Sequence, residues 1–140
     1  ERENRRKHYF KVGGKHMTHP IKKQIGTVFI PVKDLQRSAE FYSNVFDLPL
    51  KKVSPPVYNL ELDGTPITLD VDNFEKPYRE GEVRPSPNGL FYVPCNDIEQ
   101  ARNFLLQLGA EVTPVERFHN VSLFYFFDPD RNKIMVYHNS

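Results

Sequence analysis

The fold is decided by one stretch, IGTVFIPVKDLQRSAEFYSNVFDLPL, at residues 25–50. Its first third is rich in β-branched and aromatic residues, which predicts a strand over about 25–32. Asp34 is placed to cap a helix over 35–46, because a carboxylate there can accept from the free N–H groups of the first turn. Apolar residues recur at helical spacing and form one stripe that should be buried: Leu35, Ala39, Tyr42 and Phe46.

The same pattern occurs again in the second half of the chain. The segment VFIPVKDLQRSAEFYSNVFDL (28–48) aligns with FYVPCNDIEQARNFLLQLGAE (91–111), and YNLELDGTPITLD (58–70) aligns with YFFDPDRNKIMVY (125–137). Each copy reads as a strand, a helix and three further strands. In the first copy the later strands are predicted near 50–54, 56–62 and 66–72, with a hairpin turn at 63–65.

The second copy carries clear helix boundary signals. Asp97 and Gln100 have the spacing of a capping box, and Gly109 lies where a helix would end. This copy is predicted to contain a strand over 89–95, a helix over 98–108 and strands near 111–117, 121–127 and 132–138.

These copies suggest one domain behind a short basic leader. We assign residues 1–16 to the leader, either a tag or a natural extension, and residues 17–140 to the domain. The domain holds modules at about 21–72 and 88–138, joined by a linker loop at 73–87 that is rich in proline and charge.

Composition narrows the function. The chain has 140 residues, 39% hydrophobic and 26% charged, which is typical of a globular domain. A net charge of +1 argues against general nucleic-acid binding, and no apolar run approaches the roughly 18 residues of a membrane span. Cys95 is the one cysteine, so an internal disulfide is excluded and a reducing, cytoplasmic location is expected.

Two motifs carry a resemblance to a known family. The pattern V-x-D-L-x-x-S-x-x-F-Y follows the first strand, and D-P-D-x-N precedes the last. The residues are Val32, Asp34, Leu35, Ser38, Phe41, Tyr42, Asp128, Pro129, Asp130 and Asn132. The chain resembles the glyoxalase / bleomycin resistance protein / extradiol dioxygenase superfamily, also called vicinal oxygen chelate. The resemblance implies an α+β fold in which two βαβββ modules form a cup-shaped mixed sheet, and a homodimer.

Enzymes of that family hold a divalent metal in the cup with four His, Gln or Glu side chains. Carried over position by position, these sites fall on Thr27, Thr68, Leu90 and Met135. None is a good ligand for the cations concerned, because threonine is a weak neutral donor, leucine has none and methionine sulfur suits soft copper. We therefore predict no metal and no other cofactor.

The cup should instead be apolar and aromatic. Alternation along the strands puts eight residues on one face: Thr27, Phe29, Thr68, Asp70, Leu90, Tyr92, Met135 and Tyr137. Either Tyr125 and Phe127 or Phe124 and Phe126 add to it. This lining predicts a pocket for a small aromatic or cationic organic molecule, as in the antibiotic-sequestering relatives, with Asp70 available to a cation. The competing interpretation is that these side chains simply fill the barrel.

Other functions stay open at this stage, including whether the protein is an enzyme. A metal-dependent lyase, isomerase or dioxygenase would need shifted ligands, with Asp70 and either Glu61 or His119 as candidates. A regulatory protein would act through the basic leader. His119 is expected in an exposed turn, His138 on the face opposite the cup, and Cys95 as a small hydrophobe facing a helix.

Overall fold

The computed structural model describes residues 9–12, 15–71 and 90–139. The strands are β1 (Tyr9–Val12), β2 (Lys15–Thr18), β3 (Val28–Pro31), β4 (Val57–Leu60), β5 (Ile67–Asp70), β6 (Tyr92–Pro94), β7 (Glu111–Val112), β8 (Glu116–Arg117), β9 (Val121–Phe127) and β10 (Lys133–Asn139). The helices are α1 (Leu35–Val45) and α2 (Ile98–Gln107). The predicted α+β class is confirmed. The predicted linker at 73–87 lies outside the described residues.

The first module has a three-stranded sheet in the order β3-β5-β4, with β3 parallel and β4 antiparallel to β5. Its inner residues, among them Ile30, Leu60 and Leu69, are almost fully buried beneath α1. The strand predicted near 50–54 is wrong, because this stretch makes only an isolated bridge from Ser54 to Val57. Two prolines follow at once, and proline has no N–H to donate to a ladder.

The second module has a larger sheet in the order β6-β10-β9-β7, with β8 also paired to β9. The parallel pairing of β6 with β10 and the antiparallel pairing of β9 with β10 repeat the arrangement of the first module. The single strand predicted near 111–117 is divided into β7 and β8, with Pro114 between them. Strand β9 has the predicted bounds.

Both helices begin as the sequence predicts. Asp34 accepts a hydrogen bond from the backbone N–H of Arg37 at 3.0 Å, and Asp97 accepts one from Gln100 at 2.9 Å. Gly109 follows α2 with φ +85°, the left-handed conformation that ends many helices. The predicted apolar stripe of α1 is buried at Leu35, Ala39 and Tyr42 and partly buried at Phe46.

The turn before β10 joins the two modules. The Asp130 carboxylate accepts hydrogen bonds from the backbone N–H of Lys33 at 3.0 Å and from the Arg37 guanidinium at 2.7 Å. The Asn132 amide donates to the carbonyl of Pro31 at 2.9 Å. The motif that suggested the family therefore fastens the second module to the strand–helix corner of the first.

Strands β1 and β2 form a two-stranded antiparallel sheet. Strand β2 runs across position 16, where the sequence suggested that the leader ends. None of the helices in the described part of the chain has the length and apolar character that a membrane crossing requires.

Candidate functional site

The open face of the first sheet carries a chain of small polar side chains. The hydroxyl oxygens of Thr27 and Thr68 lie 2.9 Å apart, so one donates to the other. The hydroxyl that does not donate within this pair has a further acceptor: the Asn59 side-chain oxygen lies 3.0 Å from Thr68, and the carbonyl of Pro66 lies 3.2 Å from Thr27. A cleft of about 500 Å³ is lined by these groups together with Glu61, Leu62 and Gly64. The two threonines that replace expected metal ligands are thus in direct contact.

Phe29 and Asp70 lie on the same face of this sheet. Phe29 is the cross-strand partner of Thr68, and its side chain is 53% exposed. Asp70 follows Thr68 by two residues on β5 and therefore shares that face. It is only 7% exposed and already has an interaction partner in the protein. The aromatic ring is therefore more accessible to a ligand than the carboxylate.

The open face of the second sheet is richer in aromatic rings. Met135 is the cross-strand partner of Tyr92 on one side and of Tyr125 on the other, so the three side chains form one row. Tyr137 lies in the next row, and its ring meets that of Tyr92 edge to face at a centroid distance of 6.4 Å. Tyr92 is 64% exposed. A flat ring could lie on this surface over Met135, with aromatic neighbours on both sides.

The register settles which pair of β9 aromatics joins this face. Tyr125 and Phe127 lie opposite Met135 and Lys133 and share their face, because cross-strand partners point to the same side of a sheet. Phe124 and Phe126 are 0% and 1% exposed and belong to the core beneath the helices. Of the two alternatives, the first is correct.

Two cations lie over rings of this face. The Lys133 ammonium is 4.2 Å from the centroid of the Tyr125 ring. The Arg131 guanidinium is 4.4 Å from the centroid of the Phe127 ring and also pairs with Glu111. At these distances both cations are attracted to the ring faces. The charge of this surface is therefore positive at the end where β10 begins.

The eight residues predicted for one cup face fall into two groups. Four lie on the sheet of the first module, while Tyr92, Met135 and Tyr137 lie on the sheet of the second, and Leu90 donates its N–H to the carbonyl of Lys133 at the margin of that sheet. Between the modules runs a separate groove of about 490 Å³. Its lining is mostly apolar: Val28, Phe46, Leu48, Leu62, Ile67, Phe91, Tyr92, Val93 and Pro94, with Glu61, Asp63 and Thr65.

The groups at the expected ligand positions do not suit a divalent cation. The Thr27 and Thr68 hydroxyls are engaged with each other, Leu90 has no donor atom, and Met135 offers a thioether between two tyrosines. Within residues 9–12, 15–71 and 90–139, no three His, Cys, Asp or Glu side chains are grouped closely enough to hold a metal. Of the shifted ligands that a metalloenzyme would need, Asp70 lies in β5, Glu61 directly after β4 and His119 in the turn between β8 and β9, and none of them belongs to such a group.

The remaining candidate side chains have structural surroundings. His119 is exposed in its turn, as expected. His138 lies on the helix side of β10, where its Nδ1 is 3.0 Å from the carbonyl of Cys95. Cys95 lines a small apolar pocket beside Ala101 and Leu105 of α2, and burial raises the pKa of its thiol. A raised thiol pKa disfavours a thiolate nucleophile.

A buried polar network lies away from both open faces. The Tyr42 hydroxyl donates to the Asp128 carboxylate at 2.7 Å, and Asn132 donates to the same carboxylate through its backbone and side chain. Burial raises the pKa of Asp128, and these donors partly offset that rise. Burial beside Asp128 raises the pKa of Tyr42 well above its ordinary value, so the phenol stays protonated and donates.

Sequence reasoning missed two side chains of the open faces. Asn59 reaches Thr68 because β4 pairs with β5, and Lys133 shares a face with Met135 because it lies two positions before it on β10. Alternation alone would have found Lys133, whereas the position of Asn59 required the register of the hairpin.

Comparisons with known proteins identify relatives of the fold. Residues 24–136 match the family described as the Glyoxalase/Bleomycin resistance protein/Dioxygenase superfamily. A lactoylglutathione lyase from Agrobacterium tumefaciens is 17% identical, with a TM-score of 0.64 over 84% of this chain and 95% of that chain. A glyoxalase-related enzyme from Fulvimarina pelagi is 18% identical, with a TM-score of 0.67 over 84% and 89%.

A genomically encoded fosfomycin resistance protein from Listeria monocytogenes is 14% identical, with a TM-score of 0.63 over 86% of this chain and 96% of that chain. A search of curated proteins gave no match. At these identities the likeness concerns the fold, and it does not carry any one activity to this chain.

Proposed function

Because the chain belongs to the Glyoxalase/Bleomycin resistance protein/Dioxygenase superfamily, we propose that it binds a small aromatic organic molecule without the help of a metal ion. The observation that carries this proposal is the 2.9 Å contact between the Thr27 and Thr68 hydroxyls. Two neutral hydroxyls that hydrogen-bond to each other, with Thr68 only 8% exposed, offer a hard divalent cation no charge.

The preference for an aromatic ligand rests on the open face of the second sheet. Tyr92, Tyr125 and Tyr137 surround Met135, and a ring placed over the thioether would meet π-faces and ring edges on several sides. A mostly apolar surface with a few polar groups is the usual character of a small-molecule site. A purely cationic ligand is less well supported, because its expected partner Asp70 is buried and already engaged.

We also propose that the protein works as a homodimer in a reducing, cytoplasmic setting. The exposed rings of Phe29 and Tyr92 belong to the open faces of two different sheets. A second copy that brought a first-module face over a second-module face would cover both rings and close a cavity around the ligand. The family resemblance and the single cysteine support this view.

The first experiment measures metal and ligand together. Protein purified without chelator or nickel affinity is analysed for bound metal per chain, and naphthalene-type compounds are then screened by thermal shift with and without EDTA. We expect no stoichiometric metal and a stabilising shift that EDTA does not change. A metal bound at one per chain, or a shift that requires added Ni, Zn, Mn or Fe(II), would overturn the proposal.

A pair of variants ties the binding to the proposed face. Tyr92→Leu removes an exposed ring from the open face, and we expect a severalfold loss of affinity, since stacking and edge contacts contribute about 1 kcal/mol. Phe104→Leu is the matched control, because Phe104 is also exposed, at 44%, but lies on α2 beside Phe126 and Val136, on the other side of this sheet. Equal effects of the two changes would place the ligand elsewhere.

A further inference from the structure

Lys133, like Arg131, holds its charge over a ring of the second open face. It lies two positions before Met135 on β10, so the two side chains share a face about 7 Å apart along the strand. Its ammonium is held 4.2 Å from the centroid of the Tyr125 ring. Tyr125 in turn is the cross-strand partner of Met135. The positive charge is thus fixed beside the surface on which the proposed aromatic ligand would rest.

The Lys133 ammonium has N–H donors that can still bind a ligand. It carries three N–H donors, and a ring face satisfies only the side of the cation that it touches. Among the described residues, the salt bridges involve Arg37, Arg117 and Arg131, and no carboxylate lies within salt-bridge distance of Lys133. Arg131 differs on this point, because it already pairs with Glu111. Lys133 is therefore the cation of this face that can bind an anionic oxygen.

We propose that Lys133 makes this face selective for aromatic acids, with the ring of the ligand over Met135 and its carboxylate on the ammonium. The spacing of about 7 Å between neighbouring positions on one face suits a one- or two-ring acid. This inference rests on the proposed function and deepens it, since it adds the charge of the ligand to its shape. The selectivity comes from the protein's own cation.

The test uses two probes of equal shape and different charge, 2-naphthoate and 2-naphthamide. Their dissociation constants are measured by calorimetry on the metal-free protein and on the variants Lys133→Met, Lys133→Arg and Lys52→Met. The first removes the charge, and the second keeps it. The third makes the same charge change at an exposed lysine outside the open face.

We expect the unmodified protein to bind naphthoate about tenfold more tightly than naphthamide, as one charge-assisted contact allows. Lys133→Met should abolish that difference by weakening naphthoate binding about tenfold while changing naphthamide binding less than about twofold. Lys133→Arg and Lys52→Met should retain the preference. Raised salt should weaken only the naphthoate complex.

Each contrary result has a separate meaning. If both probes bind equally and Lys133→Met changes neither, the inference about charge is wrong while aromatic binding stands. If Lys52→Met lowers naphthoate affinity as much as Lys133→Met, the preference reflects net charge and the inference is again wrong. If neither probe binds the metal-free protein, the proposed function fails, and the inference that rests on it fails as well.

Discussion

Replacing Tyr42 by phenylalanine should destabilise the protein more than any ordinary loss of a tyrosine hydroxyl. The Tyr42 hydroxyl donates to the Asp128 carboxylate at 2.7 Å, and the two residues are 0% and 3% exposed. Hydrogen bonds to charged groups contribute about 1.5–3 kcal/mol, against about 1 kcal/mol for neutral pairs. Asp128 retains donors from Asn132 and from the backbone of Asp130 after the change, so we expect a loss of about 2 kcal/mol near neutral pH.

The loss of unfolding free energy in Tyr42→Phe should also depend on pH, and the pKa of Asp128 gives the direction. Burial raises that pKa above 3.8, so the folded state binds the proton more tightly than the unfolded chain, and stability falls as pH rises through the folded pKa. The Tyr42 hydrogen bond lowers the same pKa and so stabilises the carboxylate form. Its removal raises the pKa further. The destabilisation by Tyr42→Phe is therefore full above the folded pKa and shrinks once Asp128 is protonated.

The assay is urea unfolding followed by circular dichroism at about pH 7 and about pH 4. Tyr58→Phe is the matched control, because the Tyr58 hydroxyl is also buried but accepts only a neutral backbone hydrogen bond, from Lys51 at 3.0 Å. We expect the control to lose about 1 kcal/mol at both pH values. Equal losses for the two variants, or a Tyr42→Phe loss that does not shrink in acid, would refute the argument.

Three further changes should have smaller effects, each measured by the same unfolding assay. Gly109→Ala should cost about 1 kcal/mol, because a side chain at φ +85° is strained; a cost below a few tenths would contradict the assigned helix end. Asp97→Ala should cost about 1 kcal/mol through loss of the cap of α2, and Asp97→Asn should restore most of it. Thr68→Val keeps the shape but leaves the Thr27 and Asn59 oxygens without that hydroxyl, so a cost of about 1 kcal/mol is expected, with Thr68→Ser as the control that keeps it.

The elements with strong local signals were predicted well from the sequence. Helix α1 needed only its cap at Asp34 and a stripe of apolar residues, and helix α2 needed Asp97 and Gly109. Strand β9 was found because the stretch from Val121 to Phe127 is rich in aromatic and other apolar residues that favour strands. In each case the local chemistry and the tertiary burial favour the same structure, so the pattern is sufficient.

The strand predictions that failed lie next to prolines. Residues 50–54 contain one β-branched residue, Val53, Pro55 and Pro56 follow, and the stretch keeps one bridge, from Ser54 to Val57. Pro114 likewise divides the strand expected over 111–117. Proline removes a ladder hydrogen bond, and its effect on a whole strand depends on which edge that strand would occupy. That edge is a property of the sheet and cannot be read from the local sequence.

The sequence assigned side chains to a common face within each module, and the relative placement of the two sheets lies beyond what alternation can predict. The family resemblance supplied Thr27, Thr68 and Met135 as starting positions, alternation added Tyr92, and each pair lies on neighbouring strands of one module. Alternation carries no information on how two sheets are placed relative to each other. How the residues of the two sheets come together therefore depends on the tertiary packing at the boundary between the modules.

The two modules contact each other through two turns that are aligned in the sequence repeat, and these turns differ in their contacts. In the second module, Asp130 is 7% exposed and bonded to Lys33 and Arg37 of the first, so its turn is fastened to the neighbouring module. In the first module the aligned residue is Asp63, which is exposed and lines the groove of about 490 Å³ against β6. The duplicated sequence thus folds into modules that contact each other unequally. One corner is closed by a charged hydrogen-bond network, and the corresponding corner is an open, mostly apolar groove.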